Sequence, residues 1–207
     1  MAYSPTPTGP FDPPLLITEV SSTSDELDPM VSADGLRLVF ARSVDAGPSE
    51  LLIGSRSTPT GTFGGIVAAE LWNSFADEPT PYYRGANEIY FVSSKSGSTD
   101  IYRAAGFVAP TEVAEFNTAS EELSPVISAD DKTILWSSRR TDGVPQGGAD
   151  IWETRRANTA APFANLRRVT ELNTEGNDTP TWISESGCRL YFKQGLSDKI
   201  YMATRPR

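Results

Sequence analysis

Apolar and polar residues alternate in short runs along the chain, and no stretch carries an apolar stripe at the helical period. The clearest runs are Leu36-Arg37-Leu38-Val39-Phe40, Asn87-Glu88-Ile89-Tyr90-Phe91, Thr133-Ile134-Leu135-Trp136-Ser137 and Cys188-Arg189-Leu190-Tyr191-Phe192. After a turn or loop rich in Gly, Ser and Asp, each is followed by a second apolar run, at 50–56, 100–105, 150–156 and 199–205. Period-two runs bounded by such turn residues predict β-strands joined by hairpins, with helix a minor component at most.

Ahead of each pair stands a motif with an acidic or amide pair and a proline: DELDPMVS at 25–32, DEPTPYYR at 77–84, EELSPVIS at 121–128 and NDTPTWIS at 177–184. Ahead of that again, a segment starts at Phe11, Phe63, Phe107 or Phe163 and runs to a Glu, a hydrophobic residue and then Ser or Asn. The leading Phe recurs after 52, 44 and 56 residues. Four β-rich runs per module at this period are the signature of propeller blades. The expected fold is all-β: a four-bladed β-propeller with four antiparallel strands per blade and repeats at 11–56, 63–105, 107–156 and 163–205. The segment from Phe11 has no blade before it, and the last blade lacks an outer strand. Pairing the two closes the ring with the N-terminal strand and removes two sheet edges; an open ring, or closure by dimerisation, is the alternative. Residues 1–10, MAYSPTPTGP, read as a flexible Pro/Thr-rich tether before a single propeller domain at 11–207.

Charge and composition narrow the chemistry. The net charge is −9, which argues against nucleic acid as a partner. There is no histidine, so Ser-His-Asp and Cys-His nucleophiles, His-liganded zinc and any His general base are excluded. The single cysteine, Cys188, forms no internal disulfide and reads as a small core-facing residue. No run is long and apolar enough to span a bilayer, and no export signal stands in these residues.

The acidic pair, the proline, a short apolar run, Ser-x-Asp-Gly, an apolar-aromatic strand and Asp-Ile-Tyr together resemble the repeat of the TolB-like (WD-repeat-like) β-propeller family. Residues 25–43, 77–94 with Asp100-Ile101-Tyr102, and 121–138 with Asp150-Ile151-Trp152 carry the resemblance. The fourth copy departs from it, with Asn177-Asp178 for the acidic pair, Pro180 one place early and Lys199 before Ile200. The resemblance implies a bacterial, extracytoplasmic setting, and whether a signal or lipid anchor has been removed ahead of the tether is left open. It leaves the function open, because propellers of this kind serve as binding platforms, as sensors and as parts of hydrolases.

The acidic pair is the feature richest in chemistry. It stands where the chain passes from an outer strand to the innermost strand of the next blade, so the repeat is expected to bring Glu26, Glu78, Glu122 and Asp178 to the channel mouth, with Asp25, Asp77, Glu121 and Asn177 beside them. Three roles are open to it: capping the turn into the strand, holding a hard cation such as Ca²⁺, or recognising a ligand directly. Tyr82 and Trp182 depart from the repeat near the same face and suit a ligand-binding role, although space-filling between blades is the plainer reading. The resulting expectation is a monomeric, non-catalytic binding or scaffold propeller with an acidic channel that takes a cation, a basic peptide group of a protein partner or a small ligand. A carbohydrate-binding or glycosidase-like propeller is the alternative.

Overall fold

A computed structural model describes residues 14–43, 47–74, 76–106, 108–195, 197 and 199–206. The tether at 1–10 and the leading Phe11 and Phe107 lie outside the described residues. Fifteen strands form four antiparallel sheets and no helix occurs among the described residues. Blade 1 contains β1 (Asp25–Val31), β2 (Arg37–Ser43), β3 (Ser49–Ser55) and β4 (Gly64–Ala68); blade 2 contains β5 (Tyr82–Arg84), β6 (Glu88–Ser93), β7 (Asp100–Ala105) and β8 (Thr111–Glu112). Blade 3 contains β9 (Glu122–Ile127), β10 (Thr133–Ser138), β11 (Asp150–Arg155) and β12 (Ala164–Arg168), and blade 4 contains β13 (Thr179–Ile183), β14 (Arg189–Lys193) and β15 (Ile200–Thr204). Strand order within each blade follows the chain, the meander that a propeller requires.

Alternation along the central strands buries both faces of a blade. In blade 2, Ile89 pairs with Ala104 and Phe91 with Tyr102, and this face meets Val39, Ala41, Leu51 and Ile53 of blade 1. The opposite face, with Tyr82, Tyr90 and Ile101, joins Ile134, Trp136 and Trp152 of blade 3 in a cluster that continues to Ile183, Leu190 and Phe192 of blade 4. Ile89, Phe91, Ile101, Ile134 and Trp136 are wholly buried. Each such side chain contributes about 1.5–3 kcal/mol relative to exposure.

Two repeated locks join these layers. Asn73, Asn117 and Asn173 stand just past the outer strand, and each amide oxygen accepts the N–H of Leu51, Ile101 or Ile151 at 2.8–2.9 Å while its nitrogen donates to the same residue's carbonyl at 3.0–3.2 Å. The third strand thereby gains a side-chain partner just past the outer strand's end, where its carbonyl also accepts the N–H of Ala69, Val113 or Val169. The second lock explains the leading Phe: the Arg56 guanidinium lies 4.2 Å over the Phe63 ring and that of Arg156 lies 4.4 Å over Phe163.

The fourth sheet holds three strands, and β15 forms its edge, with Ile200 and Met202 more than half exposed. Residues 14–21, the described part of the run expected to close the ring, form a turn and no strand, with Leu15 and Leu16 exposed. Val20 packs against the outer cluster of blade 1, and its carbonyl accepts Arg42 Nη2 at 2.9 Å.

Candidate functional site: the central channel

The innermost strand of every blade contributes to a central cavity of about 410 Å³. Its wall repeats one dipeptide four times: Asp28-Pro29, Thr80-Pro81, Ser124-Pro125 and Thr179-Pro180. Proline has no N–H to give a sheet, so the strand is interrupted there. In blades 1, 3 and 4 the register shifts, and in blade 2 the strand begins only at Tyr82. Asp28, Thr80 and Ser124 adopt φ of 49°, 53° and 51°, a left-handed conformation that costs a non-glycine residue about 1–3 kcal/mol. Thr179 is not among the positive-φ residues, so the early proline of the fourth copy changes the wall on the blade 4 side. Lys193 of β14 also lines that wall. Asp28 and Lys193 are the charged lining residues, and Asp28 Oδ2 accepts the Thr80 N–H at 3.3 Å, tying blade 1 to blade 2.

The acidic ring expected at this wall is drawn into the blades instead. Glu78, Glu122 and Asp178 are wholly buried. In every copy the carboxylate accepts the hydroxyl of the residue four places before it: Ser22 for Glu26, Ser74 for Glu78, Thr118 for Glu122 and Thr174 for Asp178. The same hydroxyl oxygen accepts the N–H two residues on, from Ser24, Ala76, Ser120 or Gly176. This is a capped turn made four times over. Further donors come from the second strand or just beyond it: Arg42 to Glu26, Ser93 to Glu78, Ser138 and Arg140 to Glu122, and the Gly195 N–H to Asp178. The Ser22 hydrogen bond holds the Glu26 carboxyl below its ordinary value, against partial desolvation. Among the described residues, no three acidic or cysteine side chains converge as a metal group.

The first positions of the pair act between blades. Asp77 Oδ1 accepts the Ser49 N–H at 2.6 Å and Asn177 Oδ1 accepts the Ala149 N–H at 3.0 Å, each binding a blade to the third strand of the one before. Glu121 pairs with Arg139 at 2.7 Å on the surface, and Asp25 is exposed at the start of β1. Tyr82 lines the channel but its ring is buried in the core, and burial pushes its hydroxyl up to about 12 against a hydrogen bond with the Ile183 backbone. Trp182 stands outside the channel wall, 42% exposed and 5.7 Å from Tyr191. Cys188 is half-buried beside the blade 4 turn, where it lines a hollow with Leu135, Val169 and Leu190 of the core.

Of the lining residues, sequence reasoning singled out Tyr82 and missed the polar ones, Asp28, Thr80, Ser124, Thr179, Thr181 and Lys193. The signal for four of them was the short polar residue before each proline. The acidic pair just before it, being charged, drew attention away from it.

No known sequence family matches the chain, and no curated protein matches it. Solved structures do. TolB from Acinetobacter baumannii superposes with a TM-score of 0.57 at 14% identity, covering 88% of this chain and 41% of that one. A puromycin-hydrolyzing peptidase of Mycobacterium tuberculosis gives 0.57 at 12% identity, covering 84% of this chain and 26% of that one. The chain therefore spans less than half the length of either. Together with the four-bladed arrangement, these likenesses show a TolB-like β-propeller fold.

Proposed function

We propose that this propeller is a non-catalytic binding module that takes an extended peptide segment of a protein partner into its central channel. The observation that carries the reading is the channel wall itself. Four prolines, Met30 and Val126 offer apolar contact, the hydroxyls of Thr80, Ser124, Thr179 and Thr181 offer polar contact, and Asp28 and Lys193 supply one charge of each sign. A cavity of about 410 Å³ accommodates a few side chains, within the range of ordinary ligand sites of about 300–1,000 Å³. Opposite charges on the wall suit a peptide that brings both an ammonium and a carboxylate, and the strained backbone at Asp28, Thr80 and Ser124 is a rigid frame for it. A cation at Glu122 or Asp178 has to displace hydroxyl, amide or guanidinium donors already in place. Tyr82 is buried and Trp182 lies off the wall, so the two form no sugar platform there. An extracytoplasmic setting, implied by the family resemblance, goes with this reading.

Panning a displayed peptide library on the immobilised protein tests it. Selected peptides should lose at least about tenfold in affinity for Ser124→Trp, whose bulk fills the cavity, and keep it for the exposed control Glu185→Gln. Recovery of no peptides, or of peptides indifferent to Ser124→Trp, would sink the proposal.

A further inference from the structure

Three of the four blades end their third strand in the same way. Arg56, Arg156 and Arg205 follow that strand, and their N–H groups donate to Leu36, Lys132 and Cys188 at 2.9 Å. Their Nε atoms then donate to the carbonyls of Gly35, Asp131 and Gly187 at 2.6, 2.7 and 2.9 Å, so that a guanidinium plugs the turn between the first two strands. The turn itself opens with a serine, Ser32, Ser128 or Ser184, whose Oγ accepts the N–H of Arg37, Thr133 or Arg189.

Blade 2 breaks both rules. The residue donating to the matching carbonyl, that of Asn87, is Gly106, with φ +71° and, among the described residues beyond its chain neighbours, no atom within 4 Å of where a Cβ would stand. The turn serine is replaced by Arg84. Blade 4 keeps a hollow of about 430 Å³ beside its arginine, lined by Ser184, Ser186, Arg189 and Arg205, whereas the hollow of blade 2, about 590 Å³, lacks that arginine and shares no lining residue with the channel. Arg37 of blade 1 and Arg84, Glu88 and Arg103 of blade 2 line it, three guanidiniums against one carboxylate. Glu88 is engaged by both Arg84 and Arg103, and Arg84 extends to Asp131 of blade 3 at 2.5 Å, which Arg156 also holds. Arg84 Nε is buried and makes no hydrogen bond. Burial lowers the pKa of Arg84 and of Arg156, and the charge of Arg103 beside both acts in the same direction. Within the lining itself positive charge is in excess, while Asp34 acts on Arg37 and Glu115 on Arg156 from outside it, in a protein of net charge −9. Planar guanidiniums match carboxylate and phosphate oxygens with paired hydrogen bonds.

We propose that this hollow, opened by Gly106 and floored by Arg37, Arg84 and Arg103, binds a small oxyanion bearing a carboxylate or phosphate group. Calorimetric titration with inorganic phosphate and, separately, with citrate, both at constant ionic strength, tests it. Saturable binding of either probe is expected, with a parallel rise in melting temperature. A response to phosphate alone names the phosphate group, and a response to citrate alone names the carboxylate. Arg103→Gln, at a half-exposed side chain that leaves the core intact, should weaken binding by about tenfold or more, as loss of a charged hydrogen bond implies. Arg167→Gln, which removes an arginine paired with Glu153 and Glu171 on blade 3, should leave binding unchanged. Absence of saturable binding to both probes, or equal weakening by the two variants, overturns the proposal.

Discussion

Glu122 and Glu26 hold the same place in the repeat and differ in what surrounds them. Glu122 is wholly buried and accepts the Thr118 N–H at 2.9 Å, the hydroxyls of Thr118 and Ser138 at 2.8 Å, and Arg140 Nη2 at 3.4 Å. Arg140 is itself buried, with its guanidinium 4.8 Å from the Trp152 ring centroid and 5.3 Å from that of Trp136. Removing the carboxylate charge leaves that guanidinium in low dielectric without its counter-ion, a loss of about 3–5 kcal/mol. Glu26 is partly exposed, and its pair with Arg42 is worth about 1 kcal/mol or less. Urea unfolding of Glu122→Gln should therefore show a much larger loss than Glu26→Gln. The loss is expected to be the same with Ca²⁺ and with chelator, since both Glu122 oxygens already accept protein donors. The clue to this role was in the chain: a Ser or Thr stands four residues before each of the four acids. Reading the acids as a ring gave weight to their charge and none to the hydroxyls placed to bond them.

The strands are where alternation along the chain proved most informative. All eight inner runs became strands, from β2 and β3 through β14 and β15, because each has apolar residues for both faces and turn residues at its ends. In blade 2 the innermost and outer strands are short. β8 is only Thr111–Glu112, following Pro110, and β5 only Tyr82–Arg84, following Pro81, since proline donates nothing to a ladder. The asparagine locks make up part of this deficit. Asn117→Ala leaves the N–H and C=O of Ile101 without their side-chain partner, in a buried strand whose own outer neighbour is two residues long. A loss of about 2 kcal/mol is expected. Amide exchange at Ile101 should accelerate relative to Ile151, which keeps Asn173. Equal exchange at the two amides would show that the lock is idle.

Across the molecule, the joint between blades 3 and 4 combines the shared apolar core with one buried carboxylate that gathers arginines from both blades. Glu153 on β11 is nearly fully buried and collects Arg155, Arg167 and, from the end of blade 4, Arg205. Burial pushes its pKa up, but the hydrogen bonds and charges of Arg205 and Arg155 outweigh this and hold it below the ordinary value of 4.5. The unfolded chain therefore binds the proton first as pH falls. Stability from this group is complete above about pH 5 and is lost as pH drops through the lowered value. Blade 4 carries the exposed edge strand β15 and is the part most readily released. Unfolding midpoints followed from about pH 6 to pH 3 should fall for the parent, and Glu153→Gln should flatten that part of the profile. An unchanged slope would place the acid sensitivity elsewhere. Ring closure by the N-terminal run belongs to this scale too, and residues 14–21 show why the repeat pattern could not decide it: matching strand number does not place two edges side by side.

The sequence by itself determined the all-β class, the four modules, the inner strands and the turns between them. Those properties follow from local alternation, proline and glycine, which act over a few residues. The tertiary structure alone decided which residues face the axis. In blades 1 and 3 a register shift spans the pre-proline residue, in blade 2 the strand starts only after the proline, and in blade 4 the shift falls at Thr181. The proline dipeptides thus line the channel while Glu26, Glu78, Glu122 and Asp178 just before them turn into the blades. It alone also showed that the missing arginine at Gly106 and the added one at Arg84 fall on the same hollow. These residues lie 22 apart in sequence, and only the pairing of β6 with β7 brings their neighbours together.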